Sequence, residues 1–282
     1  MRKFIIIQRK DLNDTVVLMK IDAPLVAVKA EPGQFIILRV DEFGERIPLT
    51  VADTDREKGS VTVIFQIVGT MTSLLAKKQE GDFIADFAGP LGNPSELKGL
   101  KKVAMIGGGV GCAIAYPQAK KLHVMGALTD VITGFRNKDL IILENEFKEV
   151  STRLFVTTDD GSNGTKGFVT DVLKKLLEEG NEYDAVIAIG SLLMMKMVGE
   201  LTRPYHIKTI VSMNPIMIDG TGMCGCCRLT VGGKMKFACV DGPDFDGHKV
   251  NFEEAMMRGR TYFDQEKESL HKLECNLLRG VQ

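Results

Sequence analysis

The densest chemistry in this 282-residue chain lies between residues 219 and 239. The sequence there reads Asp219-Gly220-Thr221-Gly222-Met223-Cys224-Gly225-Cys226-Cys227, and Cys239 follows twelve positions later. Four of the six cysteines fall within the 16 residues 224–239, and packing alone gives no reason to crowd thiols so closely. Plant-type [2Fe–2S] sites use C-x4-C-x2-C followed by a distant fourth cysteine. Asp219, Cys224, Cys227 and Cys239 fit that spacing, with an aspartate in the first place. The small residues between them let a loop curl around a cluster, and a carboxylate, harder than thiolate, shifts the reduction potential. Two rival readings stand beside this one. Three cysteines and an aspartate can hold zinc, although structural zinc usually takes two C-x2-C pairs; alternatively, the thiols are buried and free. Cys226 is spare under the cluster reading and replaces Asp219 if the register differs.

A second candidate is the run Gly107-Gly108-Gly109-Val110-Gly111-Cys112. It follows a strand-like stretch and precedes a plausible helix, where missing β-carbons let a pyrophosphate approach backbone N–H groups. Cys112 stands at the last glycine position of G-x-G-x-x-G, and the structural alternative is a tight strand–helix crossing with no ligand. The acid expected about 20 residues on, for a ribose 2′-hydroxyl, is replaced by Gly134-Phe135-Arg136. An arginine there suits a 2′-phosphate, so NAD against NADP stays open.

Weaker signals lie nearer the start. Arg46-Ile47-Pro48-Leu49-Thr50 puts a cation and a hydroxyl near a strand end, and Gly69-Thr70-Met71-Thr72-Ser73 opens a helix candidate. Either is equally ordinary turn and cap chemistry. His123, His206, His248 and His271 share no metal-site spacing, and no Ser/His/Asp or Cys/His set suggests a nucleophile. Cys275 lies on an amphipathic stretch and is expected to pack.

The elements needed to position these residues are legible as pattern. Up to about residue 98, short runs rich in Ile, Val and Phe (Phe4–Gln8, Thr15–Ile21, Gln34–Val40, Val61–Val68, Phe83–Phe87) alternate with Pro and Gly turns. They predict a small antiparallel barrel or sandwich, with one helix near Gly69–Gln79. From Leu100, strands at Val103–Ile106, Leu128–Thr133, Leu154–Thr158, Ala185–Ile189 and Thr209–Met213 alternate with helix-length segments. The clearest helix carries Val169, Val172, Leu173, Leu176 and Leu177 on one face. This alternation predicts a parallel sheet with helices on both faces. From Asn214 on, periodicity gives way to glycine and cysteine until Asp264–Leu278, where Leu270, Leu273 and Leu277 keep helical spacing. The expected division is 1–98, 99–213 and 214–282.

Composition removes whole classes of function. With 36 Lys+Arg against 37 Asp+Glu, no basic excess points to nucleic acid. The uncharged run Val103–Ala119 holds four glycines and a proline and is no membrane span, and Met1–Gln8 is too short an apolar start for a secretory signal. A cytoplasmic protein with reduced thiols is expected.

In this order the motifs resemble the ferredoxin–NADP reductase superfamily over essentially the whole chain. Pro32-Gly33-Gln34-Phe35, Arg46-x-Pro48-Leu49-Thr50 and Gly69-x-x-Thr72 are similar to its flavin segments. The resemblance implies a β-barrel flavin domain plus an α/β nucleotide-binding domain, with a small C-terminal iron–sulfur segment. By that likeness Arg46 and the turn Gly69, Thr70, Thr72 and Ser73 hold FAD pyrophosphate, while Pro48, Leu49 and Thr50 approach its ring. Gly107, Gly108, Gly109 and Gly111 are the NAD(H) loop. The family's flavin-stacking tyrosine has no counterpart, since Pro48 and Leu49 fill that stretch. Thr157–Asp171 and the C-terminal cysteines are similar to the electron-transfer subunits of dihydroorotate dehydrogenase B, whose usual Cys-Gly-Pro is Ile189-Gly190-Ser191 here. Asp219 and Gly109-Val110-Gly111…Tyr116-Pro117 instead resemble the small subunits of electron-bifurcating NADH-dependent reduced ferredoxin:NADP oxidoreductases and the sulfide dehydrogenase β subunits. That likeness implies FAD, a [2Fe–2S] cluster and NAD(H), in a heterodimer with a larger flavin/iron–sulfur subunit that reaches ferredoxin. A self-sufficient ferredoxin reductase and a zinc-stabilised, redox-inactive nucleotide module are the remaining alternatives.

Overall fold

The computed structural model describes residues 4–278, with side chains through residue 273. The first part is built from β1 (Phe4–Asn13), β2 (Val16–Asp22), the short helix α1 (Pro24–Ala27), β3 (Phe35–Arg39), β4 (Arg46–Asp55), β5 (Ser60–Gln66), α2 (Thr70–Lys77), β6 (Phe83–Ile84) and β7 (Asp86–Leu91). These strands form one antiparallel sheet in the order β6-β1-β2-β5-β4-β3-β7. Its two edge strands are separated in sequence by Ala85 alone, so one segment pairs with β1 and then with β3 and joins the two edges into a barrel. Closure removes the unpaired edges that an open sheet exposes. The inward face is a dry core that includes Met19, Ile21, Ile36, Leu38, Val61, Val63 and Phe65.

The second part runs through β8 (Lys102–Gly108), α3 (Gly111–Val124), β9 (Leu128–Phe135), α4 (Glu144–Val150), β10 (Arg153–Thr158), α5 (Val169–Glu178), β11 (Ala185–Ile189), α6 (Leu192–Thr202) and β12 (Lys208–Ser212). Its sheet has the order β10-β9-β8-β11-β12, all parallel, with helices on both faces. The parallel sheet expected from the alternating pattern is thus present. Strands buried on both faces read as unbroken apolar runs, as Ala185–Ile189 does. Strand order reverses between β8 and β11, the point at which open α/β sheets bind ligands beyond their strand ends.

The C-terminal part comprises β13 (Arg228–Val231), β14 (Lys234–Phe237), α7 (Ala238–Asp241), β15 (Asp244–Asp246), α8 (Phe252–Arg258) and α9 (Phe263–Leu278). β13 and β14 form a hairpin, and β15 adds antiparallel to β12. Cys227, Cys239, Leu229 and Ala238 share one hydrophobic core with Ile106, Val186 and Leu173 of the α/β layer and with Phe35 and Ile37 of the barrel. On the opposite side, Val16, Ala52 and Ile64 of the barrel pack into the core under α3. The Lys120–Asp53 ion pair, at 2.9 Å, ties α3 to β4. The tail helix lies where the leucine spacing puts it; the side chains of Cys275 and Leu277 fall outside the described residues.

Candidate functional site

One cleft of about 1140 Å³ separates barrel and α/β layer. Small-molecule sites usually enclose about 300–1,000 Å³, so this one has room for an extended ligand or for two ligands meeting. Pro48, Leu49, Thr50 and Thr72 line its barrel wall, and Gly108, Gly109 and Gly111 its α/β wall. Arg46, Gly69, Thr70, Ser73 and Gly107 are not among the lining residues.

The barrel wall follows from strand pairing. Residues 46–50 of β4 pair with β3 (Ile37 with Pro48, Phe35 with Thr50), whereas pairing with β5 begins at Val51. Pro48 therefore sits where its missing N–H breaks no second ladder. At the head of α2, the Thr72 hydroxyl accepts the N–H groups of Val68 and Gly69, both at 3.0 Å, and donates to the Gly69 carbonyl. The Thr70 hydroxyl meets Ser269 of α9 at 2.9 Å. Both hydroxyls thus make protein contacts, while the turn they close opens beside the cleft.

The glycine run divides into two jobs. A β-carbon on Gly107 would stand 2.8 Å from Cys112 Sγ, and one on Gly111 would stand 2.8 Å from the Ile189 carbonyl carbon. Those two glycines let α3 press against β8 and β11. Gly109 instead has open space around it but φ +55°, the left-handed region that favours glycine. No side chain caps α3, and part of the turn is closed by its own backbone: the Cys112 and Ala113 N–H groups donate to the Gly109 and Val110 carbonyls at 3.1 and 2.9 Å, and the Gly109 N–H donates to the Gly134 carbonyl at 2.9 Å. Cys112 points into the core, where burial pushes its thiol pKa far up and keeps it neutral. The run therefore serves close packing at Gly107 and Gly111 and a left-handed turn at Gly109.

At the far end of the cleft Arg136 leaves β9 and Asp159 leaves β10. The Asp159 N–H donates to the Phe135 carbonyl at 3.0 Å, which sets the acid beside the arginine's strand. An acid thus stands at the end of β10, beside the strand β9 that ends without one. Met194, Met213, Asn214 and Met217 complete the lining near β11 and β12. Nothing in local spacing marks these residues; only the sheet order gathers them.

The cysteine loop comes together two by two. Cys227 and Cys239 are buried with their sulfurs 3.2 Å apart. The hairpin makes this possible: Cys227 precedes β13, Cys239 follows β14, and Arg228 pairs with Phe237. The tight turn Gly232-Gly233, φ +57° and +74°, was the readable signal for it. Asp219 and Cys224 form the other pair, with Asp219 Oδ2 accepting the Cys224 N–H and Oδ1 the Thr221 N–H, both at 2.8 Å. Those N–H groups, Thr221's first, hold the Asp219 carboxyl below its usual range. Burial and the neighbouring Cys224, Cys227 and Asp219 raise the Cys226 thiol. Gly220, Gly222 and Gly225 all have positive φ and turn the loop back on itself. Among the described residues no three His, Cys, Asp or Glu side chains stand ready around one metal ion. Thiolates sharing one tetrahedral metal at about 2.3 Å lie about 3.7 Å apart, so the Cys227 and Cys239 sulfurs stand about half an ångström closer than two such ligands. The soft, anionic donor set suits iron–sulfur ligation.

A closed barrel facing a doubly wound nucleotide layer, with a cysteine loop packed against both, defines a ferredoxin reductase-like oxidoreductase subunit. Residues 214–251 match the iron–sulfur cluster binding domain of dihydroorotate dehydrogenase B. A Thermotoga maritima homologue of the electron transfer subunit of dihydroorotate dehydrogenase B (NAD(+)) is 49% identical over 252 residues, 89% of each chain. The Fusobacterium nucleatum electron transfer subunit is 35% identical over 244 residues, 83% of this chain and 92% of that one. The solved structure of an NADH-dependent reduced ferredoxin–NADP oxidoreductase, described for flavin-based electron bifurcation, superposes with a TM-score of 0.91. That match is 45% identical and covers 97% of this chain and 98% of the other. The chain belongs to the family of dihydroorotate dehydrogenase B electron transfer subunits and their homologues. No described helix is long and apolar enough to cross a membrane.

Proposed function

We propose that this chain is the NAD(H)-reactive small subunit of a flavin-based bifurcating oxidoreductase, working in the cytoplasm with a larger flavin/iron–sulfur subunit that reaches ferredoxin. The observation that carries this is the single cleft in which Pro48–Thr50 of the barrel face Gly108–Gly111 of the nucleotide layer. Two ligands bound there, one on each wall, meet edge to edge. The likeness to the bifurcating oxidoreductase over nearly the whole chain, together with Asp219 in the first ligand place, favours this reading over dihydroorotate oxidation.

The residues have separable tasks. Pro48 and Leu49 give FAD an apolar wall and Thr50 a hydroxyl, while Arg46 and the turn Gly69, Thr70, Thr72 and Ser73 serve its pyrophosphate. Gly107, Gly108, Gly109 and Gly111 shape the NAD(H) loop, and Arg136 and Asp159 meet its adenosine end. Asp219, Cys224, Cys227 and Cys239 hold the [2Fe–2S] cluster, with Cys226 left over. Bound flavin supplies the exchange between hydride pairs and single electrons, which nicotinamide and an iron–sulfur centre cannot make directly. The protein contributes positioning and exclusion of water; no side chain acts as nucleophile. The working division is barrel 1–98, nucleotide layer 99–213 and cluster segment 214–282.

Anaerobic purification with the native partner tests this. Flavin and iron–sulfur absorption, with bleaching by NADH, is expected. Reduction of the complex by dihydroorotate instead transfers the chain to pyrimidine chemistry, and a colourless protein holding zinc overturns the redox reading altogether.

A further inference from the structure

The cleft holds a side chain at the place where its two walls turn into the sheet. Gly108 ends β8 and Gly190 follows β11, so together they border the point where strand order reverses. A β-carbon on Gly108 would stand 2.6 Å from Met194 Sδ, and one on Gly190 would stand 2.8 Å from Met194 Cε. The two glycines leave a recess, and the Met194 thioether fills it. Met194 itself is only partly buried and lines the cleft.

Its backbone is pinned. Ser191 caps α6 and accepts the Met194 N–H at 3.2 Å, and the next residue, Met195, is fully buried. The side chain is held only by apolar packing against the core, and methionine has three rotatable bonds and a soft, unbranched end that changes rotamer at little cost. A pinned backbone with a mobile tip in a glycine-lined recess is a gate rather than a wall.

We infer that Met194 gates the nicotinamide-nucleotide side of the cleft: its thioether fills the Gly108–Gly190 recess and must swing out before a dinucleotide seats against the glycine loop. This rests on the proposed reading of the cleft as the NAD(H) site. A gate lowers apparent affinity by the fraction of time it stands open, so a recess filled about nine-tenths of the time makes the apparent Kd about tenfold weaker. The loss falls on association, since the open state releases ligand at its own rate.

The test is binding of NAD+ and NADH to the intact, cofactor-loaded protein by stopped-flow and calorimetry. Met194→Ala is expected to raise the association rate constant, by about tenfold for a recess filled nine-tenths of the time, and to leave dissociation nearly unchanged. Met194→Phe, which overfills the recess, is expected to slow association. Faster dissociation of Met194→Ala, with unchanged association, makes Met194 a ligand contact and overturns the gate; unchanged constants in both variants do the same. Gly109→Val separates this from failure of the site itself. If it abolishes binding while Met194→Ala does not speed association, only the gate falls. If it leaves binding intact, the nucleotide is elsewhere and the underlying reading falls with it.

Discussion

Gly111→Ala separates the packing role of the glycine run from its ligand role. The added methyl would lie 2.8 Å from the Ile189 carbonyl carbon and 2.9 Å from Gly190 Cα, with the Ile189 oxygen closer still. Ordinary contact begins near 3.4 Å, so the start of α3 must retreat by well over half an ångström, the nearer Ile189 oxygen setting the larger displacement. Every obstructing atom is backbone at the end of β11, and no rotamer change relieves it. Overpacking of this kind costs about 1–3 kcal/mol. Alanine's helix preference returns up to about 1 kcal/mol. With that return in full, the net loss of about 0–2 kcal/mol corresponds to a fall in Tm of up to about 8 °C for a chain of this size. Binding should suffer more than stability, because the same retreat displaces the first-turn N–H groups, and misplacement approaching 1 Å is worth up to about 100-fold. We expect the NAD+ Kd to rise about tenfold or more. Gly109→Ala is the control: it meets open space, so its cost is the left-handed φ alone, about 1–2 kcal/mol with no shift of α3. Thermal melts and calorimetric titration of both variants read the contrast. A Gly111→Ala protein with wild-type Tm and wild-type NAD+ affinity would refute the close-approach argument.

Other expectations follow from the remaining polar groups. Asp219→Cys should retain the cluster but change its potential and EPR signal, as a soft ligand replaces a hard one; an unchanged redox titration removes Asp219 from the ligand set and promotes Cys226. Asp159→Asn should raise NADPH use relative to NADH about tenfold, because a carboxylate beside a 2′-phosphate is repulsive; an unchanged ratio of kcat/KM values rejects that role. Asp130 is buried and bonded by Arg153 Nε at 2.7 Å and by the Tyr183 hydroxyl at 2.7 Å. Burial alone would raise its carboxyl pKa, but the bonds from Arg153 and Tyr183 outweigh burial and hold it below the usual range. A depressed carboxyl stabilises the fold above its unfolded pKa of about 3.9, and that contribution is lost as pH falls through the folded value. Asp130→Asn should therefore lower Tm at pH 7, and the difference from wild type should shrink in acid melts. A gap that stays constant down to pH 2 would contradict the linkage.

Much of the architecture is carried by local pattern. Unbroken apolar runs such as Ala185–Ile189 announce strands covered on both faces, and the apolar stripe Val169–Leu177 announces α5. Both follow from periodicity, which the chain states residue by residue. Strand β4 was legible only as the motif at its start, because Arg46–Asp55 mixes polar and apolar residues without clean alternation. The hairpin β13–β14 is marked in the sequence only by Gly232-Gly233 at its turn, because strands of four residues are too short to show a period.

What the sequence determined by itself is the kind of chemistry: the donor types and spacing of Asp219, Cys224 and Cys227, and a glycine run after a strand. What only the tertiary structure decided is which of these residues meet and what each is for. Cys227 and Cys239 approach through a hairpin, Asp159 comes beside the end of β9 because β10 pairs with it, and Gly107 and Gly111 serve packing while Gly109 serves conformation. The physical reason is that donor chemistry is a property of single side chains. Proximity, close approach and a filled recess belong to pairs far apart in the chain, and only the packed sheet and barrel bring those pairs within contact.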